Sequence, residues 1–196
     1  MGLDMYLNIR HKSTQGKLEA YEAWETKYSY DEYYDLTQEE KDAYKAEEPE
    51  YDEEMYGEEL MYWRKANQIH NWFVQNCQNG VDDCGRYIVT LNQLKELCEK
   101  ILTMTEIKEE LRPTYPNGWF TDPVYVMKDV RLLTDEGLKF ASEHLPSRSG
   151  FFFGNTDYDE YYVHEVNYTA NELAEVIHQI EEEYNEDYII EYTSSW

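Results

Sequence analysis

Gly2–Arg10 reads GLDMYLNIR, and its alternation decides what kind of fold the chain must build. Leu3, Met5, Leu7 and Ile9 recur with period two, the pattern of a strand with one face buried. A core therefore opens at the N-terminus, and the sequence beyond it must supply partner strands and helices to cover the apolar side.

Working outward, residues 17–27 predict a short helix on Leu18, Tyr21 and Trp24. Thr37-Gln-Glu-Glu40 is a capping box for a second helix to about Ala46, ended by Pro49. Residues 58–77 predict one central helix, because Leu60, Trp63, Ala66, Ile69, Phe73 and Cys77 repeat at spacings of three and four. The turn-rich NGVDDCG (79–85) leads into a strand at RYIVT (86–90). Thr90-Leu-Asn-Gln93 then caps a helix that the apolar pattern carries to about Leu111. RPTYPNGWFTDP (112–123) reads as a loop, VYVMKDV (124–130) as a strand, and Thr134 as the cap of a helix to about His144. FFFG (151–154) predicts a buried strand, with YDEYYVHEV (158–166) pairing against it. A last long helix is expected behind the capping box Thr169-Ala-Asn-Glu172, and YIIEY (188–192) as a terminal strand. The expected fold class is α+β: one compact domain over 1–196, a small mainly antiparallel sheet on three to five helices, with an acidic Tyr-rich helical insertion at 19–58.

Charge is the second dominant feature. The 196 residues hold 42 Asp and Glu against 17 Lys and Arg, for a net charge of −25. Residues 19–60 carry 17 acids against Lys27, Lys41 and Lys45, a net of −14. From Ser149 to Trp196 there are 12 acids and no Lys or Arg, while 61–148 is nearly neutral. Such segregation is unlike a surface with both signs interspersed. It disfavours direct binding to nucleic acid or anionic membranes and favours a basic protein partner. The first acidic stretch interleaves rings with acids, as AYEAWETKYSYDEYYDL (20–36) and EPEYDEEMYGEEL (48–60). Tyr and Trp anchor interfaces, whereas purely solvating tails hold few aromatics.

The candidate partner-binding residues follow from this pattern. They are Asp31, Glu32, Tyr33, Tyr34 and Asp35, then Glu47, Glu48, Glu50, Tyr51 and Asp52, then Glu53, Glu54, Tyr56, Glu58 and Glu59. Asp157, Asp159 and Glu160 join them from the second acidic stretch. The opening MGLDMYLNIRHK lacks the charged and apolar regions of a secretory leader, and no stretch reaches membrane-spanning length. With Cys77, Cys84 and Cys98 odd in number, the expectation is reduced thiols in a cytoplasm.

Three blocks carry a resemblance: MGLDMYL at the start, YWRKANQIHNWFVQN (62–76) followed by GVDDCGRY (80–87), and LPSRSGFFFG (145–154) followed by YDEYY (158–162). Together they resemble an uncharacterised family of small proteins encoded by bacteriophages and prophages. The resemblance covers the first ten residues, roughly 60–100 and roughly 145–180, and it implies a host cytoplasm without implying an activity. Residues 19–58 and PNGWFTDPVYV (116–126) look like elaborations between these blocks. Phage inhibitors of restriction and CRISPR nucleases are often acidic proteins that imitate DNA. By that analogy the chain is expected to be an acidic mimic that blocks the nucleic-acid groove of a host defence protein, with no catalytic role.

A competing reading places an anionic-nucleotide pocket or enzyme site on Arg64, Lys65, Asn67, His70 and Cys84, because Trp63, Asn67 and His70 share one side of the expected central helix. Asp82 and Asp83 could orient a Cys84 and His70 pair, although the same residues equally suit a capped turn with a small buried thiol. Cys77 and Cys84 are too widely spaced for a zinc knuckle, DYDEYY (157–162) lacks the positions of a calcium loop, and GFFFG (150–154) lacks dinucleotide spacing. Neither a metal nor a cofactor is expected. A third reading is a structural protein of a virion.

Overall fold

The computed structural model describes residues 2–116 and 118–196; Met1, and Asn117 of the expected Asn-Gly turn, lie outside them. In chain order the elements are β1 (Asp4–His11), α1 (Gln15–Glu25), α2 (Tyr30–Asp35), α3 (Gln38–Ala46) and β2 (Glu58–Arg64). They continue with α4 (Asn67–Asn76), β3 (Tyr87–Val89), α5 (Leu91–Cys98), β4 (Thr105–Thr114) and β5 (Val124–Leu133). The last three are α6 (Asp135–His144), α7 (Glu160–Glu183) and β6 (Tyr188–Ser195). The fold is α+β: a four-stranded antiparallel sheet in the order β2-β1-β6-β3 packs against helices, and β4 and β5 form a separate two-stranded ribbon.

β1 sits at the centre, paired to β2 on one side and β6 on the other. Leu3, Met5, Leu7 and Ile9 are buried, as their alternation requires, against Ile69 and Phe73 of α4, Leu94 and Leu97 of α5, and Val166, Leu173 and Ile177 of α7. From β6 the rows Ile190 and Tyr192 point the same way, and the Tyr192 ring stacks on Phe73 with centroids 4.0 Å apart.

Five expectations are corrected. Residues 58–77 do not form one helix: Met61 and Trp63 alternate inward opposite Leu7 and Met5, so this stretch is β2, and Lys65 at φ 59° turns the chain into α4. Pairing with the open edge of β1 outweighs the helical spacing of Leu60 and Trp63. The helix expected to reach Leu111 stops at Cys98, and the Asn167 side chain holds both the N–H and the carbonyl of Leu102 before β4 begins. FFFG is no strand; Phe153 is buried with its carbonyl held by Asn67, while Phe151 is exposed. YDEYYVHEV is helical rather than extended, because Asp159 caps α7 by accepting from the N–H groups of Tyr161 and Tyr162. The expected cap Thr169 is therefore mid-helix, where its hydroxyl accepts from Trp63 Nε1 at 3.0 Å.

The second face of the sheet is polar. Arg10 and Glu191, on adjacent central strands, form a bidentate ion pair at 2.7 and 2.8 Å with side chains 1% and 6% exposed. Thr14 also accepts from Arg10, and Arg86 reaches Glu22 at 3.1 Å, so α1 closes over the pair. The 3-10 turn Glu53–Met55 seals the rim, with Met55 and Leu18 buried. Gly57, at φ +75°, lets that turn run against β1, since a Cβ there would collide with the Ile9 carbonyl oxygen. Replacing Arg10 with Met should cost about 3–5 kcal/mol, because it strands a buried carboxylate. The double change R10M/E191L should recover much of that loss, as read by urea unfolding.

Candidate partner-binding surface

The acidic segment is ordered by its own chemistry. Ser29 with Glu32 and Thr37 with Glu40 form two capping boxes, whose hydrogen bonds hold both Glu carboxyls below their ordinary pKa. Trp24 and Tyr44 stack at 4.7 Å and exchange side-chain to carbonyl hydrogen bonds at 2.9 and 3.0 Å. Tyr28 and Tyr33 pack edge-on to Tyr44, and Tyr21 gathers Tyr51 and Tyr56. The rings therefore supply this segment with a small aromatic core that its few aliphatic residues could not provide.

The candidate residues divide by what they touch. Glu32 is spent on its cap, Glu47 pairs with Lys27, and Asp52 pairs with Lys17. Tyr33 and Tyr56 are half-buried in the ring cluster, and Tyr56 lies under the Arg86 guanidinium. Asp31, Asp35, Glu48, Glu50, Glu53, Glu54 and Glu59 are exposed and make no ion pair among the described residues, with Tyr34 and Tyr51 exposed beside them. This remaining set is an unneutralised acidic face on a fixed scaffold.

The second acidic stretch is split by α7, whose 24 residues span about 36 Å. Its far end meets the first stretch: Tyr184 donates to Glu58 at 2.8 Å, and Tyr184 and Tyr188 stand with Glu53, Glu54 and Glu58 around a cleft of about 590 Å³. Burial and the Glu58 hydrogen bond push the Tyr184 hydroxyl up to about 12, which keeps it a donor. Its near end does not join this face. Asp157 and Asp159 line a separate cavity of about 250 Å³ with Arg64 and Lys65, and Glu160 pairs with Arg112 at 3.3 Å. That cavity sits at the opposite end of β2 from Glu58, about 20 Å along the strand. Tyr184 and Tyr188 were missed from sequence, because only the antiparallel return of β6 beside β1 brings them to Glu58.

The competing pocket residues do not gather. Arg64 is exposed and pairs with Asp4 at 3.4 Å, and its cavity with Lys65 also holds Asp157, Asp159 and Glu165, a poor setting for an anion. Asn67 is buried and structural: Nδ2 donates to the carbonyls of Phe153 and Asn155, and Oδ1 accepts from the Arg148 N–H. His70 is fully buried, between Tyr192 Oη at 2.7 Å and Asp82 Oδ2 at 3.1 Å. Asp82 further accepts from Arg148 at 3.0 Å and Trp196 Nε1 at 3.1 Å. The network ties α4, the 81–86 turn, the 145–150 loop and the C-terminus together, and His70 lines none of the five main clefts. Cys84 lies beside it at φ 58°, with its thiol pushed up by burial, and burial pushes Cys77 up to about 12. Neither is a ready nucleophile. Among the described residues, all three cysteines are free and no group of three or more His, Cys, Asp or Glu is placed to hold a metal ion. Among the described residues, no helix is long and apolar enough to cross a membrane.

Comparison with known protein families, with curated proteins and with solved structures finds no match to this chain.

Burial holds the His70 pKa below its ordinary 6.5, partly offset by Asp82 and reinforced by Arg148. The unfolded chain thus takes up this proton more readily than the folded one, so His70's contribution is complete above about pH 6.5 and declines as pH falls through the window beneath it. Urea unfolding between about pH 5.5 and 7.5 should show this loss in the native chain. The H70N variant should be less stable throughout and lack that part of the slope.

Proposed function

We propose that this protein is a non-catalytic binding protein that engages a basic partner through its acidic face, occupying a groove the partner uses for nucleic acid. The observation that carries the reading is the set of exposed carboxylates without a salt bridge among the described residues, Asp31, Asp35, Glu48, Glu50, Glu53, Glu54 and Glu59, on capped helices and ring-stacked turns. Grooves lined with Lys and Arg respond chiefly to negative charge at suitable spacing, and a surface ordered beforehand loses less entropy on docking. Exposed Tyr30, Tyr34 and Tyr51 add apolar contact between the charges. The cleft of Glu53, Glu54, Glu58, Tyr184 and Tyr188 suits an Arg or Lys side chain, held between carboxylate and ring. The resemblance of the shared blocks to phage proteins makes a host defence protein, such as a CRISPR or restriction nuclease, the partner we propose.

Capture from a bacterial host lysate at about 50 mM salt should retain a basic nucleic-acid-binding protein, and about 500 mM salt or added duplex DNA should release it. Changing Glu53, Glu54, Glu58 and Glu59 together to Lys should weaken the complex at least about tenfold. Unchanged affinity, or a complex indifferent to both salt and DNA, would overturn the reading for this face.

A further inference from the structure

The β4–β5 ribbon stands apart from the main sheet and turns its two faces to different surroundings. Residues paired across it project to the same side, so Ile107 with Arg131, Glu109 with Asp129, Leu111 with Met127 and Pro113 with Tyr125 form successive rungs of one face. The other face meets the body of the protein at Val130, which is buried, and at Arg112, which bridges Glu110 at 2.8 Å and Glu160 of α7 at 3.3 Å. On the first face, Ile107, Leu111, Tyr125 and Met127 are each more than half exposed. At the far end of the ribbon Trp119 and Phe120 are almost wholly exposed.

An isolated two-stranded ribbon is marginal in water, and like charges directly opposite one another weaken it further. Glu109 and Asp129 are such a pair, exposed in the middle of the apolar stripe. Neither has a salt bridge among the described residues. Arg131, the nearest cation on that face, donates instead to Thr105 at 3.1 Å, toward the base. Along its length the face therefore reads mixed at Ile107 with Arg131, acidic at Glu109 with Asp129 and apolar at Leu111 with Met127, with rungs roughly 7 Å apart.

We propose that this face is a docking surface for an extended segment of a partner protein that presents Lys or Arg between two aliphatic side chains at alternate positions. The cation sits between Glu109 and Asp129, and the flanking side chains cover Ile107 on one side and Leu111 with Met127 on the other. Charge complementarity selects this occupant over a second copy. Two copies face to face would bring four carboxylates together and oppose two molecules of charge −25. The inference does not depend on the acidic face described above, which lies on other elements.

The test uses the full chain with isotope-labelled Ile, Leu and Met methyl groups, and two synthetic peptides. One alternates threonine with leucine, lysine and leucine; the other has glutamine in place of the lysine. The lysine peptide should shift the methyl signals of Ile107, Leu111 and Met127, and the glutamine peptide should bind that site at least about tenfold more weakly. E109Q/D129N, whose changes are both on exposed side chains, should lose the same factor for the lysine peptide with the methyl spectrum otherwise unchanged. Equal affinity of the two peptides, or of the variant, overturns the proposal. So do shifts confined to the surroundings of Glu58, which would assign the peptide to the acidic cleft. Concentration-dependent broadening of these methyls without peptide would give the face to a second copy, and shifts with phosphatidylcholine vesicles alone would give it to a membrane; either overturns the proposal too.

Discussion

Arg10 and Glu191 meet on adjacent central strands, on the side of the sheet that has no apolar core, and much of the architecture follows from keeping that pair dry and bonded. A guanidinium and a carboxylate taken out of water are tolerable only when their hydrogen bonds are met. Thr14 and Gln15 meet those of Arg10 from the start of α1, which ties the helix to the strand it follows. Arg86, reaching Glu22 from the turn before β3, fastens the same helix at a second point. α1 and the Glu53–Met55 turn thereby form a lid on the polar sheet face, to which α3 is tied through the Trp24–Tyr44 stack.

A lid carrying so much like charge must hold together against its own repulsion. It does so with local devices that spend few cations. Two carboxylates are absorbed into capping boxes, two are paired with Lys17 and Lys27, and the remaining cohesion comes from stacked rings whose hydroxyls and indole reach backbone carbonyls. The carboxylates left over all point to solvent. They have no salt-bridge partner among the described residues.

The molecule thus presents two unlike surfaces. One is acidic, ring-studded and continuous with the cleft at Tyr184; the other is the apolar side of the β4–β5 ribbon with its opposed carboxylates. The buried network of His70, Asp82, Arg148 and Tyr192 shares no residue with either surface. Its groups resemble those of a proton relay, yet the imidazole is closed off from solvent and its neighbours bind loops together. Its role in this structure is to fix the C-terminus and the 145–150 loop against α4.

Residue order by itself determined the first strand, the helices behind Thr37, Thr90 and Thr134, the strand at 188–192 and the segregation of charge, because period-two burial, capping boxes and composition are local properties. It could not determine whether 58–77 is helix or strand. Trp63 suits both periods, as Leu60 fits the helical one and Met61 the period of two, and only the unpaired edge of β1 decides between them. For the same reason Arg64 and Lys65 were expected near His70 in one pocket, whereas they line a cavity with Asp157 and Asp159 and His70 is buried outside it. Charge density along the chain marked the first acidic stretch and joined Asp157 and Asp159 to it, whereas these two line a separate cavity. One of these caps α7, and α7 carries the two ends of its acidic stretch about 36 Å apart. What stands beside Glu58 is Tyr184, a contact set by the long-range pairing of β6 with β1, and no local property of either residue encodes it.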